Sequence, residues 1–184
     1  MAHKQQREFF ERVKASFPSW FGAVHVVDCG SLDVNGSLRD LFSQQATYIG
    51  VDVRAGDNVM MVQPVHTATV PDAWCFTVVS AEMLEHDPYW DLSLRKMHQM
   101  LCTGGLLVIS TATHGREEHG TDRVPDVVEG QPRNWSANDR NHYRNLDESD
   151  VRNAFLGTFE EKFGPYGFEV NDEHHDLYFW GIKR

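Results

Sequence analysis

Three short stretches carry side chains whose type and spacing could do chemistry. The first is VVDCGSLDVNGS, residues 26–37, where an apolar run ends at Asp28 and is followed by Gly30 and Gly36. A glycine just after a buried strand lets the chain turn tightly and lets a ligand approach the backbone. The second is YIGVDV, residues 48–53, in which Asp52 follows Gly30 by 22 residues (52 − 30). In nucleotide-binding α/β folds an acid at about that distance accepts hydrogen bonds from ribose hydroxyls. The third is SAEMLEHDPYW, residues 80–90, which sets Glu82, Glu85 and His86 just beyond another apolar run. Carboxylates there can attract a positive centre or take a proton from a reacting hydroxyl or amine.

These groups need a sheet whose strand ends lie side by side. The apolar runs at 23–29, 46–53, 58–63, 73–81 and 106–112 read as strands, and 88–101 as an amphipathic helix between the fourth and fifth. A helix over 4–16, within an N-terminal helical segment 1–20, follows from Phe9, Phe10 and Val13 and ends before Pro18. Residues 37–44 read as a short helix. Thr103-Gly104-Gly105 reads as a turn into the fifth strand. Strands that are apolar throughout and alternate with helices imply a mostly parallel sheet covered on both faces. A helix is predicted from about Asp147, with DESD supplying the N-cap, and 166–172 and 176–183 form a closing hairpin through Glu173, His174 and His175. The fold class is thus α/β, Rossmann-like and doubly wound, with one domain over 1–184. Residues 113–146 lack any period, and a loop of that length inside a small domain is expected to serve function.

Composition narrows the classes. A net charge of -10 argues against a duplex nucleic-acid surface, which needs a basic footprint. No apolar run approaches the ~20 residues needed to cross a bilayer, and the polar opening MAHKQQREFFERVKASF is unlike a secretory signal. A cytoplasmic protein with reduced Cys29, Cys75 and Cys102 is the expectation.

The motifs VVDCG, YIGVDV and CFTVVSAEMLEHDPYWDLSLRKMHQMLCTGGLLVIST resemble the class I S-adenosylmethionine (SAM)-dependent methyltransferases, in particular the small type 11 group. The resemblance covers residues 22–112, and DLYFWGIKR fits the family's reversed last strand. It implies a seven-stranded sheet and SAM as cofactor, with S-adenosylhomocysteine as product. By the same resemblance Asp28, Gly30 and Ser31 would lie near the methionine part, and Asp52 at the ribose. Val53, Val65 and His66 would lie near the adenine, and Ser80 and Ala81 at the methionine moiety. Pro64 stands where the family often has an acid. Catalytic candidates are Glu85, His114 directly after the fifth strand, and Tyr143, which could fold over the pocket. The acceptor implied is a small molecule or a sugar- or nucleotide-linked metabolite, with 113–146 as its loop or lid. The alternative is a module that holds SAM or a nucleotide without catalysis. A dinucleotide oxidoreductase would need G-x-G-x-x-G, which is missing here.

Two stretches suggest other sites. DPYW, residues 87–90, lacks the second proline of the base-methylating motif and reads as a helix start, with Asp87 as N-cap and Pro88 first in the helix. HGREEHG, residues 114–120, and the pair His174-His175 offer histidines without a recognised zinc spacing, so no metal is expected.

Overall fold

In a computed structural model of the chain, which describes residues 4–34, 36–121, 123–124 and 142–184, successive residues of the inner strands face opposite layers. Val27, Cys29, Val78, Leu107 and Ile109 belong to one core, while Val26, Val79, Leu106, Val108 and Tyr178 belong to the other. A strand buried on both sides must be mostly apolar, and the polar residues that interrupt the inner runs, Asp28, Thr77 and Ser80, are buried and hydrogen-bonded.

The strands are β1 (His25–Cys29), β2 (Thr47–Asp52), β3 (Met61–Val62), β4 (Cys75–Ala81), β5 (Leu101–Ala112), β6 (Phe163–Asn171) and β7 (Asp176–Lys183). They form one sheet in the order β3-β2-β1-β4-β5-β7-β6. The first five are parallel, whereas β7 runs antiparallel between β5 and β6. The seven-stranded, doubly wound sheet with a reversed hairpin is therefore present. Its strand order turns back between β1 and β4, where ligands of open α/β sheets bind beyond the carboxyl ends.

Helix α1 (Lys4–Ser16) covers one face, burying Phe9, Phe10 and Val13 and stacking Phe9 on Tyr178 with ring centroids 4.5 Å apart. The other face is covered by α2 (Trp90–Met100), α3 (Glu148–Ala154) and α4 (Phe159–Lys162). Asp147 caps α3 through a capping box: its carboxylate accepts from the Asp150 amide, and Asp150 accepts from the Asp147 amide.

Four local expectations change. The helix over 37–44 is a single 3-10 turn, Arg39–Leu41. Asp33 Oδ1 accepts from the Gly36 amide at 2.9 Å, and this Asx-type turn ends the segment that was to begin the helix. The third strand shrinks from 58–63 to two residues, because Asn58 adopts φ 66° and the chain folds back over β2. Thr103-Gly104-Gly105 lies within β5, which begins at Leu101. Gly104 takes φ 79° there and the β4–β5 register shifts between Cys75 and Thr77. Finally, α2 begins at Trp90, with Pro88 ahead of it, although Asp87 still accepts from the Tyr89 amide at 2.7 Å and the Ser93 hydroxyl at 2.5 Å.

The three cysteines are free thiols, with Cys29 and Cys75 buried. Among the described residues no helix is long and apolar enough to cross a membrane.

Candidate active site at the strand-order reversal

The crevice begins with the turn after β1. Gly30 has φ 82°, a conformation that side chains rarely adopt, and a Cβ there would lie 2.6 Å from Met83 Cβ. Its missing side chain thus allows the turns after β1 and β4 to touch. Residues 30–34 are then tied to the loop after β2. Ser31 Oγ donates to Asn58 O at 3.2 Å, and the Asp33 amide donates to Asp57 O at 3.3 Å. Gly50 permits this fold-back, since a Cβ on it would meet Asn58 O at 1.8 Å.

Asp52 stands at the carboxyl end of β2, accepting from the Leu32 amide at 3.3 Å and the Arg54 amide at 3.0 Å. It remains partly exposed, and burial raises its carboxyl against those hydrogen bonds. Val53 follows it, half-buried. Asp28 lies deeper, 3% exposed, and accepts the Tyr48 hydroxyl. Burial pushes Asp28 up to about 7 against that hydrogen bond.

Past β3, Val65 is buried in the core, while His66 packs on Tyr89 with ring centroids 4.5 Å apart. His66 Nδ1 is buried and has no hydrogen-bond partner among the described residues. At the end of β4, Ser80 donates its hydroxyl to Cys29 O at 2.8 Å, bracing β1 against β4, and Ala81 is half-buried.

The residues after β4 carry the main cluster. Glu82 adopts φ 51°, an unusual conformation for a non-glycine residue and one that gathers at functional sites. Gln6 Nε2 of α1 donates to Glu82 Oε1 at 2.8 Å and to Ser110 Oγ at 2.5 Å. Arg116 approaches Glu82 at 3.8 Å and Asp176 at 3.5 Å. Glu85 is fully buried, and Thr111 Oγ1 donates to its Oε2 at 3.0 Å. Burial raises Glu82, helped by the charges of Glu85 and Asp176, and burial also raises Glu85. His86, 6% exposed, is pushed down to about 3 by burial, so its ring is neutral at physiological pH.

Tyr143 lies over this group, its ring centroid 5.5 Å from that of His86 and 5.0 Å from that of His119. The Tyr143 hydroxyl is buried without a partner among the described residues, and burial pushes its pKa well above the usual tyrosine value. The segment is docked where the Arg144 amide donates to Glu85 O and the Leu146 amide to Ala112 O, both at 2.9 Å.

Of the catalytic candidates, then, Glu85 and Tyr143 come together through His86, while His114 does not join them. His114 is exposed and meets Asp147 Oδ2 at 3.2 Å. Gln6, His119 and Arg116 were not singled out from the sequence for this place. Gln6 lies on the face of α1 that also carries Phe9, Phe10 and Val13, and its burial there becomes visible only in the folded chain. The part of the 113–146 stretch at 122 and 125–141 lies outside the described residues.

No protein-family model and no curated sequence matches the chain, so the type 11 placement rests on the sequence motifs alone. Solved structures do match. The 1,6-didemethyltoxoflavin-N1-methyltransferase of Burkholderia thailandensis, with 1,6-didemethyltoxoflavin and S-adenosylhomocysteine bound, aligns at TM-score 0.57 and 14% identity, over 100% of this chain and 91% of that one. The N-methyltransferase NodS of Bradyrhizobium japonicum, with S-adenosylhomocysteine, gives 0.59 and 14%, over 98% and 88%. A SAM-dependent methyltransferase from Aquifex aeolicus gives 0.58 and 13%, over 95% and 89%. With the observed strand order and reversed hairpin, these likenesses show that the chain has the fold of the class I SAM-dependent methyltransferases.

Proposed function

We propose that the protein is a SAM-dependent methyltransferase of the small type 11 kind, acting on a small-molecule acceptor. The observation that carries this reading is the convergence of Glu82, Glu85, His86 and Tyr143 beyond β4, beside the strand-order reversal. A module that only held a nucleotide would gain nothing from burying two carboxylates, a neutral histidine and an unpartnered tyrosine hydroxyl at considerable desolvation cost.

The residues around the reversal suit the cofactor. Asp52 would accept the ribose hydroxyls, with Val53 alongside. His66, whose buried Nδ1 needs a partner, would face the adenine beside Val65. Gly30, Ser31, Ser80 and Ala81 would bound the methionine end, with Asp28 beneath as a buried acid. When bound, SAM supplies an electrophilic methyl group. The protein's task is to hold an acceptor atom in line with that methyl and to shed competing water. Glu85 and Tyr143 would orient the acceptor, and a carboxylate of this cluster could take a proton from a hydroxyl or ammonium acceptor.

A small acceptor fits the acidic composition, and the Burkholderia enzyme, whose structure contains 1,6-didemethyltoxoflavin, supports the same class. Residues 113–146 would form much of the acceptor pocket within a single domain. The test is calorimetry with SAM and S-adenosylhomocysteine, then transfer of labelled methyl into pools of small metabolites read by mass spectrometry. Saturable binding followed by a labelled product is expected. No binding at millimolar ligand would end the cofactor reading, and binding without any transfer would favour the holding module.

A further inference from the structure

Glu85, His86 and His119 come from two separate loops, after β4 and after β5. Each can direct one ligand atom so that the three lie within 4.8 Å of one another. Neither HGREEHG nor EH has zinc spacing by itself, and the set appears only when the two loops meet. We propose that these residues bind a single divalent transition-metal ion, of which Zn²⁺ is the reference case, and that this ion holds an oxygen atom of the acceptor. The proposal rests on the transferase reading for the acceptor, whereas the metal site stands on its own geometry.

Three observations point to a ligand at this spot. Glu85 is fully buried, and while Thr111 holds its Oε2, Oε1 has no side-chain or backbone donor of its own among the described residues and lies beside the equally buried Glu82 carboxylate. A buried carboxylate oxygen left unpaired is costly, so a cation there would remove the penalty. His119 Nδ1 lies 3.1 Å from Glu117 O, an arrangement in which Nδ1–H donates to the carbonyl and Nε2 is left as an acceptor. Metal-bound histidines are commonly fixed in this way, with the other nitrogen donating to a carbonyl or carboxylate. His86 and His119 meet edge-on, with ring centroids 4.9 Å apart and planes at 86°. Ligands on one ion sit about 3.3 Å apart, given metal–ligand bonds of about 2.1 Å. The widest pair must therefore close by up to about 1.5 Å, and His119, half-buried on a loop outside any helix or strand, is the ligand whose shift disturbs least.

Two histidines and one carboxylate occupy one side of an ion and leave positions open opposite them. Tyr143, whose hydroxyl is unpartnered, stands over the same rings. The open positions suit an acceptor presenting a hydroxyl, phenol or carboxylate oxygen. A hydroxyl bound there would release its proton to solvent more readily than one free in water. The site thus selects for an oxygen-bearing acceptor.

The test uses the full chain, freed of any affinity tag and stripped with dipicolinate, titrated with ZnCl₂ by calorimetry and with Co²⁺ by visible absorption. One equivalent is expected to bind with micromolar or tighter affinity, and Co²⁺ should develop d–d bands of a site with nitrogen ligands. Glu85→Gln and His119→Ala should each weaken binding at least 100-fold. His25→Ala, at an exposed histidine stacked on Trp74, should leave it unchanged. Circular dichroism establishes that each variant is folded, and because His119 is on a loop its variant serves if Glu85→Gln fails to fold. Absence of stoichiometric binding would overturn the proposal, as would affinity unchanged from the parent protein in both ligand variants. Zn²⁺ binding without SAM binding would sink the transferase reading alone, whereas SAM binding without Zn²⁺ would sink the metal site alone.

Discussion

Replacing Gly30 by alanine tests how the two turns at the strand-order reversal are fitted together. The new Cβ must be carried at φ 82° and would fall 2.6 Å from Met83 Cβ and 2.8 Å from Met83 Cγ. The left-handed backbone costs a side chain about 1–2 kcal/mol, and overpacking a tight site typically costs about 1–3 kcal/mol. The stiffer unfolded chain returns about 0.4–1 kcal/mol. A net loss of about 1–5 kcal/mol follows, which in a chain of this size lowers Tm by roughly 3–15 °C. Thermal and urea unfolding, followed by circular dichroism, would measure it. The second variant separates the two causes. Met83→Ala keeps the Cβ that makes the shorter contact, so in the Gly30→Ala background it should recover little. Met83→Gly removes that Cβ and should recover about 1–3 kcal/mol of coupling, leaving the backbone cost in place. A Gly30→Ala protein melting within about 2 °C of the parent would refute the reasoning. So would equal recovery by Met83→Ala and Met83→Gly.

Two further outcomes follow from the same crevice. Asp52→Ala should weaken SAM binding at least tenfold, about 1.4 kcal/mol, in calorimetry on a protein whose fold is intact; an unchanged Kd would remove Asp52 from the site. Asp28 binds its proton more tightly in the folded state, at about 7 against an ordinary 3.8. Between those values the native protein holds a proton that the unfolded chain has lost, so this group's contribution to stability falls as pH rises from about 4 to about 7. The fall is up to roughly 4 kcal/mol. Asp28→Asn, which keeps an oxygen for the Tyr48 hydroxyl, should flatten urea midpoints over that window, and an unaltered slope would exclude burial of Asp28 as its source.

The sheet was legible because its signal is local: inner strands such as β1 and β4, buried on both faces, must be written as mostly apolar runs, and the hairpin as two runs across a short turn. The Asp147 cap was legible for the same reason, since a capping box spans four adjacent residues. The 37–44 helix misled because Leu38, Leu41 and Phe42 have helical spacing. Their burial is satisfied equally by one 3-10 turn, and the Asp33–Gly36 turn uses up the residues a helix would need. The site was half legible. Asp28 and Asp52 lie at the carboxyl ends of their strands and Gly30 and Glu85 just beyond strand ends, positions that strand periodicity locates. His119 and Gln6 enter through packing between segments far apart in the chain, for which no spacing rule exists. His114 shows the converse, because adjacency to β5 brought it to the rim while Asp147 holds it outward.

The insertion of β7 between β5 and β6 carries a consequence for biosynthesis. β5 is the longest strand and pairs with β7 from Leu106↔Ile182 to Ala112↔Asp176. A ribosome that has released β1 to β5 has therefore made a sheet whose last strand is an open apolar edge, the arrangement most prone to pairing with another chain. β6 cannot close that edge, because it reaches the sheet only through β7. Arg116 likewise finds Asp176 only after β7 has arrived, and Gln6 must hold its place from the opposite end of the sequence. The contacts around Glu82 and the cover for the β5 edge thus arrive together, with β7, and a nascent chain short of it lacks both.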